Sequence, residues 1–223
     1  MFNGFTDKTF EFFMAIRFNN NREFFQDNHD WYLESVRTPA LELAEALSES
    51  VEALDPELER RPHKVVSRIN RDIRFSNDKS PYRDYLWLAF RKPGEERKTT
   101  LGVYADFSDA GLSYGMGFYS ENLPLMKAHR NQLLNDFSEF QEIAERVEER
   151  FTLFSKSFRR MKIPEHLPEA LHKWYPLRGF YVEKEINDFD LLKSSKLADE
   201  IADGYRYLQP LYRYFTRLTP VED

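Results

Sequence analysis

The spacing of apolar side chains predicts helices in about the first fifty residues. Thr6 can cap a first helix, which the three asparagines Asn19–Asn21 end. A second helix is predicted from about Arg22 to Val36. The pair Thr38-Pro39 then predicts the start of a third helix, with the threonine as its cap and the proline in its first turn. Apolar residues share one face of this third helix: Leu41, Ala44, Leu47, Val51 and Leu54.

Short segments rich in aromatic and β-branched residues follow, and they predict strands. These segments are Lys64–Asn70, Tyr85–Lys92, Thr99–Phe107 and Leu112–Tyr119. Connectors of hairpin length join the last three, which favours antiparallel pairing because parallel strands need a crossover of about a dozen residues. Every second residue of the third segment is apolar, so one face is predicted to pack against helices: Leu101, Val103, Ala105 and Phe107.

Helices and one further strand are predicted in the rest of the chain. A helix begins after Leu123-Pro124, and Phe137–Phe151 predicts an amphipathic helix with a charged outer face. Arg178–Ile186 is a fifth predicted strand, and the final helix is expected to be interrupted near Pro210. This order indicates the α+β class: one domain over residues 1–223, with an antiparallel sheet of about five strands flanked by N-terminal and C-terminal helices.

The composition favours an aromatic core and excludes cysteine chemistry. Hydrophobic residues make up 41% of the chain and aromatic residues 16%, so we expect a core that consists largely of rings. The absence of cysteine excludes disulfides, thiolate metal sites and a cysteine nucleophile. The first residues lack the pattern of a signal peptide, and no stretch has the roughly 18 apolar residues of a membrane span. We therefore expect a cytoplasmic protein without a membrane segment.

Charge is distributed unevenly along the chain. The formal net charge is −6, yet the segment from Arg68 to Arg83 carries +3 and leaves −9 for the remainder. An acidic body repels polyanions over a Debye length of roughly 8 Å, which argues against binding of duplex nucleic acid. A small, compact anion can still be held locally. The charge pattern therefore favours a pocket for a small anion over a surface track.

The segment from Arg68 to Arg83 is the strongest candidate for a functional site. About fourteen residues separate the two flanking predicted strands, too many for a hairpin turn, and such long polar connections usually carry function or are disordered. Apolar residues within it offer anchors to a core, so we expect an ordered loop that binds phosphate, sulfate or carboxylate. The candidate ligand-binding residues are Arg68, Arg71, Arg74, Ser76, Lys79, Tyr82 and Arg83.

Two acids in this segment allow several roles. Asp72 and Asp78 are the candidate catalytic residues: they can orient the arginines, bind a hard cation beside a phosphate, or act as a base. The structural alternative is that the arginines pair with these and other acids and only fix the loop. Both interpretations stay open at the level of sequence.

Three segments resemble a known family. Arg68–Tyr82 is similar to the signature of a widespread bacterial and fungal family of uncharacterised proteins, domain of unknown function 2461. Asn19–Tyr32 resembles its early segment, with Phe24 where the family pattern has Trp, and Gly111–Arg130 resembles its glycine-rich strand and following helix. The resemblance covers roughly Phe5 to Leu218. It implies an α+β fold with an antiparallel sheet, and it implies no reaction.

Other motifs carry weaker signals. Gly115 and Gly117 share one face of a predicted strand and leave a shallow trough that a ligand or another backbone can approach. The structural interpretation, which we favour, is that a helix or a neighbouring ring fills the trough or that one glycine forms a bulge. The five histidines have no metal-ligand spacing, and His129-Arg130 can add positive charge at a helix C-terminus. The sequence contains neither a Gly-x-Ser-x-Gly elbow nor a Walker A motif, and it predicts no metal site and no particular cofactor.

These observations lead to three functional hypotheses. The first is binding of a small anionic ligand, phosphorylated or carboxylated, by the basic loop beside the sheet, with or without catalysis. The alternative is a protein-interaction module in which the loop joins exposed aromatic residues such as Trp87 or Trp174. A lesser alternative is binding of single-stranded nucleic acid on an aromatic sheet face, against which the acidic balance counts. The sequence assigns no oligomeric state.

Overall fold

A computed structural model of the chain describes residues 1–74, 77–96 and 98–221. In this part of the chain, five antiparallel strands form one sheet with the order β1-β2-β3-β5-β4. The α+β class predicted from the sequence is therefore confirmed. The strands are β1 (Tyr85–Arg91), β2 (Gly102–Ser108), β3 (Gly111–Gly117), β4 (Thr152–Ser157) and β5 (Leu177–Ile186).

Helices precede the first strand, separate β3 from β4, and follow β5. The helices before the sheet are α1 (Asp7–Phe18), α2 (Arg22–Asp27), α3 (His29–Tyr32), a π-helical segment (Leu33–Arg37), α4 (Thr38–Ala46), α5 (Ser48–Leu54) and α6 (Pro62–Val65). The later helices are α7 (Leu123–Asn135), α8 (Ser138–Glu148), a 3₁₀ turn (Glu169–Leu171), α9 (Phe189–Leu192) and α10 (Lys196–Arg217). None of the described helices is long and apolar enough to cross a membrane.

One predicted strand was wrong and one observed strand was missed. Lys64–Asn70 does not form a strand: its first residues belong to α6, which begins at Pro62, and only two isolated bridges follow, Val66 to Leu88 and Asn70 to Tyr82. Proline is well tolerated in the first turn of a helix, and this preference prevails over the β-branched pair that follows. The fifth strand of the sheet is instead β4, which the sequence pattern did not predict.

Two predicted helix boundaries were also wrong. Thr38 does not cap a new helix, because Arg37 before it is already helical and the chain continues without a break from the π-helical segment into α4. Helix α10 is not interrupted at Pro210, which lies inside it. Leu208, Leu211 and Tyr212 are buried on either side of that proline. Their packing offsets the cost of roughly 3 kcal/mol that proline imposes on a helix interior.

By its internal contacts, the chain divides into two compact units. Unit 1 comprises Met1–Phe90, Tyr104–Tyr114 and Glu185–Asp203. Unit 2 comprises Arg91–Val103, Gly115–Lys184 and Gly204–Asp223. The organisation as a single domain stays a prediction.

Each unit has an aromatic core, as the composition predicted. In unit 1, the rings of Phe5 and Phe107 stack with centroids 4.5 Å apart, and Phe13 packs edge-on against Phe107 at 5.6 Å. In unit 2, Phe140 lies 4.5 Å from Tyr214 and 5.2 Å from Trp174 between ring centroids. Such aromatic pairs contribute roughly 0.5–1.5 kcal/mol beyond the area that they bury.

The two glycines of β3 lie where another main chain approaches closely. A Cβ atom added to Gly115 would lie 1.8 Å from the carbonyl oxygen of Val182, and one added to Gly117 would lie 2.4 Å from Cα of Tyr181. The main chain of β5 therefore occupies the space that the glycines leave. The approach of another backbone, which the sequence allowed at this face, thus accounts for the glycine pair, whereas the favoured interpretation named a helix, a ring or a bulge.

Candidate functional site

The basic loop, defined as residues Arg68–Arg83, is held by main-chain contacts between its two arms. Asn70 and Tyr82 form an isolated antiparallel bridge. The Arg71 amide donates to the Pro81 carbonyl at 2.9 Å, and the Arg83 amide donates to the Ile69 carbonyl at 2.8 Å. Ile69 and Tyr82 are buried and fix the arms to the core. The described part of the loop therefore has the ordered base that its apolar residues predicted.

Tyr82 anchors the loop through its ring and its main chain. Its ring stacks on Phe25 with centroids 4.2 Å apart. The side-chain amide of Asn20 donates to the Tyr82 carbonyl and accepts from the Tyr82 amide, both at 3.0 Å. Only 6% of Tyr82 is exposed. This geometry gives Tyr82 a positioning role, and a contact of its hydroxyl with a ligand stays a prediction.

Two arginines of the loop pair with the two acids of the loop. Arg71 donates from Nη1 to Asp78 at 2.6 Å. Arg74 binds Asp72 through two parallel contacts, Nε to Oδ1 at 2.9 Å and Nη2 to Oδ2 at 2.7 Å. Asp72, Arg74 and Asp78 are exposed. Exposed ion pairs stabilise proteins only weakly. These contacts therefore orient the side chains but can be exchanged for other partners at little cost.

These partners keep both carboxylates ionised. Hydrogen bonds from Arg74 lower the pKa of Asp72 to about 2. Hydrogen bonds from Ser80, with a smaller contribution from the charge of Arg71, lower the pKa of Asp78 below its usual range. A carboxylate whose pKa lies far below neutral is a weak general base. The geometry therefore favours the orienting role of the two acids over the role of a base.

Lys79 and Arg83 use their charged groups to fix the shape of the loop. The Lys79 ammonium donates to the Ile73 carbonyl at 2.9 Å. Nη1 of Arg83 donates to the Arg68 carbonyl at 2.8 Å and also to the Asn70 carbonyl. The guanidinium of Arg83 also lies over the half-buried Trp87 ring, 4.8 Å from its centroid. These two cations satisfy carbonyl oxygens that the irregular arms would otherwise leave to solvent.

Two cations of the loop keep unused donor capacity. The exposed side chain of Arg68 makes no ion pair or hydrogen bond with the described residues. Nε of Arg71 is shielded from solvent and has no hydrogen-bond partner there. A shielded polar group without a partner calls for a ligand, a water molecule or an ion to complete it. Ser76, another predicted contact, lies outside the described residues.

Two residues singled out in the sequence lie in the core of unit 2 instead of on its surface. Trp174, predicted as an exposed aromatic residue, is completely buried, and its indole nitrogen donates to Glu148 at 2.7 Å. His129 is also completely buried, with Nδ1 3.0 Å from the Tyr214 hydroxyl. The rings of both residues pack against the ring of Phe140.

His129 therefore does not add positive charge at the end of α7, contrary to the sequence-based expectation. Burial lowers the pKa of His129 to about 3. The main chain of Trp174 acts on the pKa in the opposite direction, and its effect is smaller than that of burial. The imidazole is neutral near pH 7 and belongs to the aromatic core.

A second basic region in unit 2 escaped the sequence interpretation. It consists of the exposed residues Lys156, Arg159, Arg160 and Lys162 together with Arg130 and Arg178, whose guanidinium groups lie over the ring of Phe158. A signal was present, because four cations and no acid occur between Lys156 and Lys162. Arg130 and Arg178 carried no comparable signal. Among the described residues, no group of three or more His, Asp or Glu side chains is placed to hold a metal ion.

Comparison with known families identifies the chain as a member of one of them. Residues 8–214 match the family described as conserved hypothetical protein (DUF2461). Because the match covers most of the 223 residues, the chain belongs to this family, and the resemblance of its three segments is confirmed. No curated protein matches the chain. The family description assigns no activity, so the function has to be argued from the geometry.

Proposed function

We propose that this member of the family binds a small anionic ligand, phosphorylated or carboxylated, through Arg68, Arg71 and Arg74 of the basic loop. The observation that carries the proposal is the incomplete bonding of Arg71 within the described residues: its Nε has no hydrogen-bond partner there, and its Nη1 pairs with the exposed carboxylate of Asp78. Arg68 adds a guanidinium without any partner among the described residues. Arginine forks match the oxygens of phosphate and carboxylate groups.

The ion pairs of the loop are compatible with ligand exchange. Asp72 and Asp78 each offer one negative charge to an arginine, Asp72 to the exposed Arg74 and Asp78 to the half-buried Arg71. A phosphate monoester offers nearly two charges and three oxygens. An incoming phosphate therefore competes well with either carboxylate for the same guanidinium. In the free protein, the ion pairs with the acids orient the two guanidinium groups for that exchange.

The remaining candidates have supporting roles in this proposal. Lys79 and Arg83 hold the loop through carbonyl oxygens and add positive charge. Tyr82 fixes the base of the loop. The proposal assigns no reaction, since the pKa of Asp72 is far from that of an effective base near pH 7. A cytoplasmic location is part of the proposal and is favoured by the absence of cysteine.

A thermal-unfolding screen tests the proposal. The probes are inorganic phosphate, pyrophosphate, a sugar phosphate, a nucleoside triphosphate and citrate, each with and without magnesium. A ligand at a hundred times its dissociation constant stabilises the folded protein by about 2.7 kcal/mol. For a chain of this size we expect a rise of roughly 5–10 °C in the unfolding midpoint.

Matched arginine variants locate the binding site. Arg74→Gln and Arg71→Gln should remove the shift caused by the best probe. Arg61→Gln is the control, because Arg61 is likewise an exposed arginine that pairs with an acid two residues away, Glu59, just as Arg74 pairs with Asp72. A shift that persists in both loop variants places the ligand elsewhere, and no shift with any probe contradicts the proposal and favours a protein partner for the loop.

A further inference from the structure

The charge of unit 2 is opposite in sign to that of the whole chain. Unit 2 contains 18 Lys and Arg residues against 14 Asp and Glu residues, a formal charge of +4, although the whole chain carries −6. The acidic excess thus lies in the residues of unit 1. The overall charge is therefore a poor guide to what unit 2 attracts, since electrostatic attraction is screened within roughly 8 Å at physiological salt.

Two arginines of unit 2 converge on one aromatic ring. The guanidinium carbons of Arg130 and Arg178 lie 5.5 Å and 5.3 Å from the centroid of Phe158. Arg130 donates to the Leu177 carbonyl at 2.9 Å, and Arg178 pairs with Glu121 at 2.6 Å. Nε of Arg178 is shielded from solvent and has no hydrogen-bond partner among the described residues. The two arginines are thus pre-oriented around the ring.

Four more exposed cations lie within four residues of Phe158 along the chain. Lys156, Arg159, Arg160 and Lys162 are exposed, and none of them forms an ion pair within the described ranges. Phe158, Arg159, Arg160 and Met161 line an open cleft of about 440 Å³. The basic loop of unit 1 balances two of its arginines with its own acids, and in this second region Arg178 pairs with Glu121. The region has the charge pattern of a polyanion site.

Strand β4, which carries Lys156, forms a stacked aromatic pair with β5. Phe154 is directly opposite Tyr181, and their rings stack with centroids 4.9 Å apart and an angle of 11° between the planes. Both remain exposed, at 38% and 37%. Lys156 lies two residues further along β4 and so projects from the same face. Glu183 occupies the other end of that face, away from the cations.

We propose that unit 2 binds single-stranded nucleic acid on this surface, which comprises Phe154, Tyr181 and the cations around Phe158. Exposed rings on a sheet face stack with unpaired bases, and neighbouring arginines and lysines neutralise the phosphates, which is how sequence-tolerant single-strand binders work. In a duplex the faces of the bases are stacked on one another and cannot stack on the protein's rings, so a duplex makes only the electrostatic contacts between phosphates and cations. The proposal is independent of the anion site proposed for the basic loop, because the two use no residue in common.

Fluorescence anisotropy with the full chain tests this proposal. The probes are labelled oligothymidylate and oligouridylate of about 12 nucleotides, within the usual site sizes of single-strand binders, and a duplex of the same length. We expect the single strands to bind at least ten-fold more tightly than the duplex. The logarithm of the binding constant should fall with the logarithm of salt concentration with a slope of about −3, as expected for roughly four phosphates neutralised.

Variants separate the aromatic part of the surface from its charged part. Tyr181→Leu and Phe154→Leu should each weaken single-strand binding about ten-fold with little change in the salt slope. The double variant Arg159→Gln, Arg160→Gln should weaken binding and make the slope shallower by about one unit or more. Arg146→Gln is the control, since Arg146 lies over the Tyr207 ring in the same unit, 4.6 Å from its centroid. Circular dichroism of each variant verifies folding.

The alternative outcomes overturn the proposal in distinct ways. If duplex and single strand bind equally well, and if neither leucine variant changes the affinity, the surface binds nucleic acid only through charge and the rings take no part. Displacement of the oligonucleotide by inorganic phosphate at low millimolar concentration and constant ionic strength would identify a small-anion site at Phe158 instead. Absence of binding to any oligonucleotide at low salt would exclude this ligand class for unit 2.

Discussion

The ring of Tyr82 stacks on the ring of Phe25, with centroids 4.2 Å apart and 24° between the planes. Phe25 lies in α2, and Asn20, just before that helix, holds both main-chain groups of Tyr82. One stacked pair with α2 and two hydrogen bonds with the segment before it thus hold the base of the basic loop. The arginines of the loop are therefore presented from a fixed base, which lowers the conformational cost of binding a ligand.

Two replacements of Tyr82 distinguish its role as an anchor of the basic loop from a contact of its hydroxyl with a ligand. Tyr82→Leu removes the stacked pair and should lower the free energy of unfolding by about 2 kcal/mol, within the range for aromatic pairs and buried side chains. Tyr82→Phe keeps the stack and should change that free energy by less than about 0.5 kcal/mol. Urea unfolding measures both. If Tyr82→Phe weakens phosphate binding at unchanged stability, the hydroxyl contacts the ligand; an unaltered stability in Tyr82→Leu would contradict the anchoring role.

The role of Asp78 can be tested by removing its charge. Asp78 holds Nη1 of Arg71 at 2.6 Å and accepts the Ser80 amide at 2.9 Å. Asp78→Asn retains an acceptor oxygen for Ser80 and no longer competes as an anion for Arg71. We expect inorganic phosphate or pyrophosphate to bind several-fold more tightly to this variant, measured by calorimetry without magnesium. Binding that becomes weaker, and only when magnesium is present, would instead indicate a metal-ligand role.

The strands that the sequence predicts correctly are those with one buried face. In β2, Val103, Ala105 and Phe107 alternate with less apolar residues, and all three are buried. Strand β4 escaped prediction because its described residues are exposed or half-buried along its whole length, so no alternation marks it. Its existence depends on pairing with β5, which is a long-range contact that a local pattern does not encode.

The candidate site, too, is only partly predictable from local sequence. Local composition predicts that the segment from Arg68 to Arg83 is basic, ordered and polar. It does not predict that Lys79 and Arg83 reach main-chain carbonyls, because every residue offers such a carbonyl and none of them leaves a signal in the sequence. Arg130 and Arg178 are far apart along the chain, and folding brings both of them to the ring of Phe158. Local sequence therefore gives no sign of this arrangement.

Gly115 offers a test of the close approach between β3 and β5. A Cβ atom in Gly115→Ala would lie 1.8 Å from the Val182 carbonyl oxygen, so the main chain has to move. We expect a loss of about 3 kcal/mol in the free energy of unfolding, at the upper end of the cost of overpacking. Gly94→Ala is the control: Gly94 has a φ of 86°, and no atom of the described residues would lie within 4 Å of an added Cβ, so this variant should cost only about 1 kcal/mol. Equal effects in chemical denaturation would contradict the steric explanation.

His129 should make the stability of the protein depend on pH in mildly acidic solution. Its pKa is lowered to about 3 in the folded protein by burial, from an ordinary value of 6.5. Between these values the unfolded chain binds a proton that the folded protein does not. The free energy of unfolding therefore falls as the pH drops below about 6.5, and it is restored above that pH.

The size of this effect follows from the two pKa values. Between pH 7.5 and pH 5.5, a single such histidine lowers the free energy of unfolding by about 1.4 kcal/mol. His129→Gln removes the titrating group while keeping a polar atom for the Tyr214 hydroxyl. The variant should be less stable at pH 7.5, because it loses ring contacts with Phe140 and Phe215. Its decline toward pH 5.5 in urea unfolding should nevertheless be smaller than that of the natural chain by about 1.4 kcal/mol. Parallel pH profiles for the two proteins would show that His129 takes up no proton on unfolding, and so that it is not held neutral in the folded core.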